Sequence, residues 1–181
     1  MRFIPQLIPE VILIEPEVYE DDRGYFFESF RQDLFEEAIG YKINFIQENE
    51  SNSEKGVLRG LHFQVPPYAQ AKLVRVIKGS VLDVAVDIRV SSPTFGKHVA
   101  VNLTGTNKKQ LFIPKGFAHG FIVLSDKAIF SYKVDNFYTP DFERVIAFND
   151  KSLAIDWILD SNIIVTSTKD KAGLSLSSIN F

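Results

Sequence analysis

Short apolar runs broken by turn residues dominate this chain, at residues 11–14, 24–30, 43–47, 72–77, 80–88, 96–103, 110–113, 120–123 and 128–134. Runs this short are of strand length, and together they constrain the fold more than any other feature. Strands spaced this closely point to an all-β sandwich or barrel. Val84-Ala85-Val86-Asp87-Ile88 alternates only in part. One helix is expected over residues 31–39, where Leu34, Phe35, Ala38 and Ile39 share a face and Gly40 is placed to cap the end. A second short helix is expected at residues 152–155, after Asn149-Asp150. With no linker, repeat or low-complexity stretch, the expectation is one domain over residues 1–181.

Composition narrows the function classes. At 45% apolar and 24% charged residues, the balance is that of an ordinary soluble domain. A net charge of −3 gives no basic footprint for nucleic acid. The absence of cysteine excludes disulfides and thiolate metal sites and fits a reducing cytosol. No apolar segment approaches the roughly 20 residues needed to span a bilayer. The N-terminus has no sustained apolar run, so neither a signal peptide nor a membrane partner is expected and the location reads as cytoplasmic.

The chemistry-bearing stretch is Gly60-Leu61-His62-Phe63-Gln64, read with Lys72 and Gly79. It resembles the first motif of a metal-binding barrel, the cupin, in which His-x-His is followed by a Glu seven residues before a Gly. Here Gln64 stands at the second His and Lys72 at the Glu. An ammonium at a carboxylate position repels a divalent cation. Residues 114–119, Pro-Lys-Gly-Phe-Ala-His, resemble the second half of the same signature. The expectation is a mainly β, cupin-like jelly roll with a few short helices and no metal.

Taken with Asp22-Arg23-Gly24-Tyr25-Phe26-Phe27-Glu28, Gln47-Glu48-Asn49, residues 56–64, 83–89, 92–96 and 113–121, Tyr132-Lys133, Tyr138-Thr139-Pro140 and Lys169-Asp170, the chain resembles the dTDP-4-dehydrorhamnose 3,5-epimerase family over essentially its full length. The resemblance implies a cofactor-free homodimer acting on a nucleotide-diphosphate-linked 4-keto-6-deoxy sugar. It aligns His62 with the catalytic base, Asp170 with the carboxylate that orients it, and Tyr132 with the acid. Lys72 becomes the charge beside O4. It implies a binding set of Arg23, Glu28, Gln47, Asn49, Arg59, His119, Glu143 and Lys169, with Tyr138 stacking on the base. Arg23 and Glu28 are implied to reach the partner's site on an exchanged N-terminal strand. Asp83 and Asp87 read as structural strand carboxylates or groups behind the site.

Three departures bear on the substrate. Ala71 stands where the family usually has Gly, Ala147-Phe148 where it has Arg-Trp, and Ile158 where a Pro follows the Trp. They are expected on or near the wall around the nucleotide and sugar. A GDP-linked heptose, or epimerisation at C3 or C5 alone, would use the same groups. A metal-dependent cupin enzyme and a non-catalytic sugar-nucleotide-binding barrel are the readings from other classes.

Overall fold

The computed structural model describes residues 1–179. In chain order its elements are β1 (Arg2–Pro5), β2 (Ile12–Glu15), β3 (Tyr19–Asp21), β4 (Gly24–Phe26), α1 (Gln32–Ile39), β5 (Gln47–Glu54), β6 (Leu58–Gln64), β7 (Lys72–Lys78) and β8 (Ser80–Asp87). They continue with β9 (His98–Thr104), β10 (Gln110–Ile113), β11 (Phe117–Val123), β12 (Lys127–Val134), β13 (Glu143–Val145) and α2 (Thr168–Lys171). Two antiparallel sheets, ordered β1-β2-β10-β7-β12-β5 and β13-β6-β11-β8-β9, form the mainly β sandwich expected from the run spacing. The β3–β4 hairpin joins neither sheet. No helix among the described residues is long and apolar enough to cross a membrane.

Three apolar layers explain the patterning. Between the sheets, Val74, Val76, Leu111, Ala128 and Phe130 meet Val81, Ala85, Leu103, Phe121 and Val123. The outer face of the five-stranded sheet, including Leu82, Val84, Val86 and Ile122, is covered by Ile146, Leu153, Trp157 and Leu176. Strand β8 is therefore buried on both faces, which is why its sequence alternates only in part. On the other outer face, Ile12, Ile14, Leu73 and Phe112 receive Phe35 of α1. The Phe35 and Phe112 rings meet edge to face with centroids 5.0 Å apart. Gly40 ends α1 at φ +81°, its N–H bonding to Glu36 O.

Two expectations need correction. Residues 152–155 are not a helix: a turn covers 151–153, and 154–155 belong to no regular element. Asp150 Oδ1 accepts from Ser152 N and Oγ (2.8 and 2.7 Å) and Oδ2 accepts from Leu176 N (2.6 Å), while Ala154 sits at φ +47°. The side chain that would cap a helix instead ties the turn to the returning chain. Residues 43–46 are not strand either; the strand begins at Gln47 and runs through a polar sequence to Glu54. Asp87 does serve structurally, accepting from Arg89 Nη2 (2.7 Å), Ser92 Oγ (2.6 Å) and Thr94 Oγ1 (2.6 Å).

One crossing sets the position of two histidines. Strands β6 and β11 pair with His62 opposite His119, and the register shifts between His119 and Phe121. At that shift Gly60 (φ +136°) lies against Gly120; a Cβ on Gly60 would stand 2.5 Å from Gly120 Cα and 2.8 Å from His119 O. A Cβ on Gly120 would stand 2.8 Å from Arg59 O. Only glycine permits this approach. Gly60→Ala is expected to cost about 2–4 kcal/mol through backbone strain and overpacking, read by urea denaturation. An alanine variant of wild-type stability would show that the crossing is not tight.

Candidate active site

Inward positions of the strands are apolar for most of the sandwich and turn polar around one cavity of about 430 Å³. The phase of each strand shows the switch: Val76 and Val74 lead to Lys72 on β7, Ala128 and Phe130 to Tyr132 on β12, and Phe121 to His119 on β11. Lys72, Tyr132, Gln47 and Asn49 come from the six-stranded sheet. His62, Arg59, His119 and Glu143 come from the five-stranded sheet. Tyr138 and Lys169 complete the expected set at the wall.

His62 Nε2–H donates to Asp170 Oδ1 at 2.6 Å, which leaves Nδ1 as the basic nitrogen. Burial pushes the Asp170 carboxyl up, but the His62 hydrogen bond and charge hold it below the ordinary carboxylate range. Asp170 is 3% exposed and stands behind His62 rather than on the wall. Its short helix α2 is capped by Ser167, whose Oγ accepts Asp170 N–H at 3.1 Å. A second imidazole–carboxylate pair lies deeper: His119 Nε2 is 2.9 Å from Asp83 Oδ2 and 3.1 Å from Oδ1. Burial drives the His119 pKa down against the pull of Asp83, so this ring is neutral at pH 7.

Lys72 is 8% exposed, and among the described residues no side chain hydrogen-bonds or ion-pairs with its ammonium. Burial lowers its pKa to about 8, against the opposing charges of Glu143 and Asp83. The nitrogen stands 6.0 Å from the centroid of the Tyr132 ring. Burial raises the Tyr132 phenol above its ordinary value, so it remains a proton donor. Asn49 sits directly opposite Tyr132 in the β5–β12 register. Toward the rim, Glu143 accepts from Tyr138 Oη (2.9 Å) and from Lys169 Nζ (2.8 Å). Arg59 Nε and Nη2 each reach Ser53 Oγ at 3.1 Å.

Ten expected residues thus line one cavity and Asp170 backs it. Arg23 and Glu28 do not. Arg23 lies on the β3–β4 hairpin, 90% exposed and paired with Asp21, and neither residue is on the cavity wall. The three departures were expected on or near the wall: none of Ala71, Ala147, Phe148 and Ile158 lines it, although Ala71 lies between the wall residues Gln70 and Lys72. Ala71 is buried with its N–H on Asp135 Oδ1 (2.7 Å), Phe148 packs beneath the outer cover and Ile158 is exposed. Sequence reasoning undervalued Asp83 and Gln64. Asp83 occupies the inward phase of β8 between Val81 and Ala85, a signal available from alternation alone.

A family model described as dTDP-4-dehydrorhamnose 3,5-epimerase matches residues 5–178. The dTDP-4-dehydrorhamnose 3,5-epimerase of Shigella flexneri is 57% identical over 173 residues, covering 96% of this chain and 94% of the relative. The crystal structure of dTDP-6-deoxy-D-glucose-3,5-epimerase from Legionella pneumophila, in complex with dTDP-4-keto-L-rhamnose, superposes with a TM-score of 0.95 at 50% identity, covering 99% of this chain and 94% of that one. A 3'-monoepimerase from Streptomyces bikiniensis in complex with dTDP-quinovose gives 0.88 at 31% identity, over 96% and 87% of the two chains.

The depressed Lys72 pKa has a sign for stability. The folded state holds this proton less tightly than the unfolded chain, so the penalty is complete below pH 8 and shrinks as pH rises toward 10.5. Lys72→Met is expected to stabilise the fold by up to about 3 kcal/mol at pH 7. The gain should narrow to about half by pH 9.5. Urea denaturation at both pH values checks this; a destabilised Met variant contradicts it.

Proposed function

The chain belongs to the dTDP-4-dehydrorhamnose 3,5-epimerase family, and from that premise we propose that it inverts C3 and C5 of a dTDP-linked 4-keto-6-deoxy hexose, as a cytoplasmic single-domain cupin-like enzyme with no cofactor. One observation carries the reading. His62, backed by Asp170, and the Tyr132 phenol enter the same cavity from opposite sheets, with the unpaired Lys72 ammonium on the same wall as Tyr132.

Inversion needs a base on one face of the sugar ring and an acid on the other. The C4 ketone acidifies the hydrogens at C3 and C5. His62 Nδ1 removes one, the C–H electron pair moves onto O4 as an enolate, and Tyr132 Oη–H delivers a proton to the opposite face. His62 is left protonated and Tyr132 ionised, and exchange with water restores both. Asp170 holds the tautomer and steadies the imidazolium. Acid–base help supplies roughly 10²–10⁴-fold, short of the 10⁶ or more that enzymes reach. A fixed cation at the developing oxyanion in a dry site contributes about 3–4 kcal/mol more. Lys72 is the group placed to supply it.

Arg59, His119, Gln47, Asn49 and Lys169 form the polar set for the nucleoside diphosphate, Tyr138 its stacking face and Glu143 a further contact. The exposed Arg23 and Glu28 reach the cavity of a second copy through exchange of the N-terminal strand. The solvent-facing β3–β4 hairpin, with Tyr19, Tyr25 and Phe26 more than half exposed, supports such an arm.

In heavy water, deuterium is expected at both C3 and C5 of the dTDP-4-keto sugar; label at one carbon only would make the protein a mono-epimerase, and label at neither would end the epimerase reading. His62→Asn should lose roughly 10²–10⁴-fold in turnover while keeping dTDP affinity. Because kcat/KM reports the free enzyme, it should fall above pH 8 as Lys72 loses its proton. Mixed dimers test the exchanged arm. Arg23→Ala and His62→Asn chains, each impaired alone, should regain one intact site when combined. No recovery on mixing would place Arg23 in its own chain's site or nowhere near one.

A further inference from the structure

We propose that Gln64 is a positioning residue for nucleoside recognition: its side chain clamps the two residues flanking Tyr138 and so fixes the aromatic ring that receives the base. This rests on the functional reading above, which assigns Tyr138 to stacking, and adds the device that holds it.

Gln64 is 6% exposed at the end of β6. Its amide is fully committed to backbone: Nε2 donates to Tyr68 O (2.7 Å) and Phe137 O (3.1 Å), and Oε1 accepts from Thr139 N–H (2.6 Å). Only one orientation of the amide satisfies two carbonyls and an N–H at once. With both donors used, Gln64 has none left for a ligand, so its effect on binding passes through what it holds. What it holds is the peptide on each side of Tyr138.

The remaining contacts of that residue converge on the same end. Tyr138 N–H donates to Gln47 Oε1 (3.2 Å), and its phenol donates to Glu143 Oε2 (2.9 Å). Glu143 is the β13 partner of Gln64 in the strand register, so one rung of the sheet anchors both the backbone and the tip of the tyrosine. The loop after β6 is stitched to the same segment, with Gln70 Nε2 on Asn136 O (2.8 Å) and Asn136 Nδ2 on Pro67 O (3.2 Å). Tyr138 itself is 49% exposed. A half-exposed ring on a loop presents a defined face only if its backbone is held, because ordering it during binding would cost affinity. The side chain that stands where metal-binding barrels place a ligand here immobilises a nucleoside platform.

The test is a double-mutant cycle read by calorimetry with two probes, thymidine diphosphate and inorganic pyrophosphate. Tyr138→Ala is expected to weaken thymidine diphosphate by roughly 5- to 150-fold, the range for loss of one base–aromatic stack. Gln64→Ala should weaken it in the same sense, leave pyrophosphate affinity where it was, and have no further effect once Tyr138 is gone. Should Gln64→Ala not fold, Gln64→Met keeps the length without the polar atoms and is read in the same cycle. Equal losses for both probes, or additive losses in the double variant, would overturn the clamp and leave the epimerase reading standing. A wild-type protein that binds pyrophosphate but gains nothing from the thymidine would instead overturn the reading on which the clamp rests.

Discussion

An ammonium group held inside a β-sandwich without a counter-ion in contact is the constraint around which the rest of this structure is arranged. Lys72 occupies the inward phase of β7, in line with Val74 and Val76, where its neighbours bury apolar side chains. Burial of a charge without a close partner is costly, and the depressed pKa expresses that cost. Asp83 and Glu143 offset part of it at a distance, and His119, kept neutral, adds no second charge. An apolar residue would serve the fold better at this position. The cost is intelligible if the charge is held for an oxyanion that forms only during reaction, since a preorganised dipole or cation is then worth most.

The same logic extends to the surrounding walls. Strands β7, β11 and β12 keep an apolar inward phase through the core and change residue type at the cavity, whereas β5 is polar along its whole cavity face. The sandwich therefore stays packed through Phe121, Phe130 and Val123 while presenting imidazole, phenol and ammonium groups from two facing sheets. The His62 imidazole and the Tyr132 phenol come from different sheets, which suits the proposed attack on one ring face and delivery on the other. Rigidity comes from pairs that fix each group: Asp170 for His62, Asp83 for His119 and Ser53 for Arg59.

What the sequence revealed follows from where apolar burial is one-sided or complete. Strands β7, β8, β10 and β12 were legible within a residue or so because they bury side chains in the core. Strand β5, Gln47–Glu54, was missed: its inward residues Gln47, Asn49 and Ser51 line the cavity instead of the core, so no apolar alternation marks it. Strands β1, β3 and β13 are three or four residues long and half or fully exposed, too little pattern to register. The helix expected at residues 152–155 failed because Asp150 could cap a helix or close a turn, and only the tertiary partner Leu176 decides. Within the site, His62 and Lys72 were legible from the spacing of a cupin-like motif over two strands consecutive in the chain. Asp170, more than a hundred residues from His62, was reachable only through the resemblance. The departures at Ala71, Ala147-Phe148 and Ile158 looked relevant to substrate choice in one dimension; in three, none lines the cavity, and Ala71 alone adjoins wall residues, Gln70 and Lys72.

The most direct measurement of the central claim is the rate of deuterium incorporation at C3 and C5 of saturating dTDP-4-keto sugar by the Lys72→Met protein. If the buried charge steadies the enolate, exchange at both carbons should fall by about 10²–10³-fold in a protein that is folded and still binds dTDP. Exchange within tenfold of wild type would mean that the ammonium is not at the oxyanion, and the account of this site would be wrong.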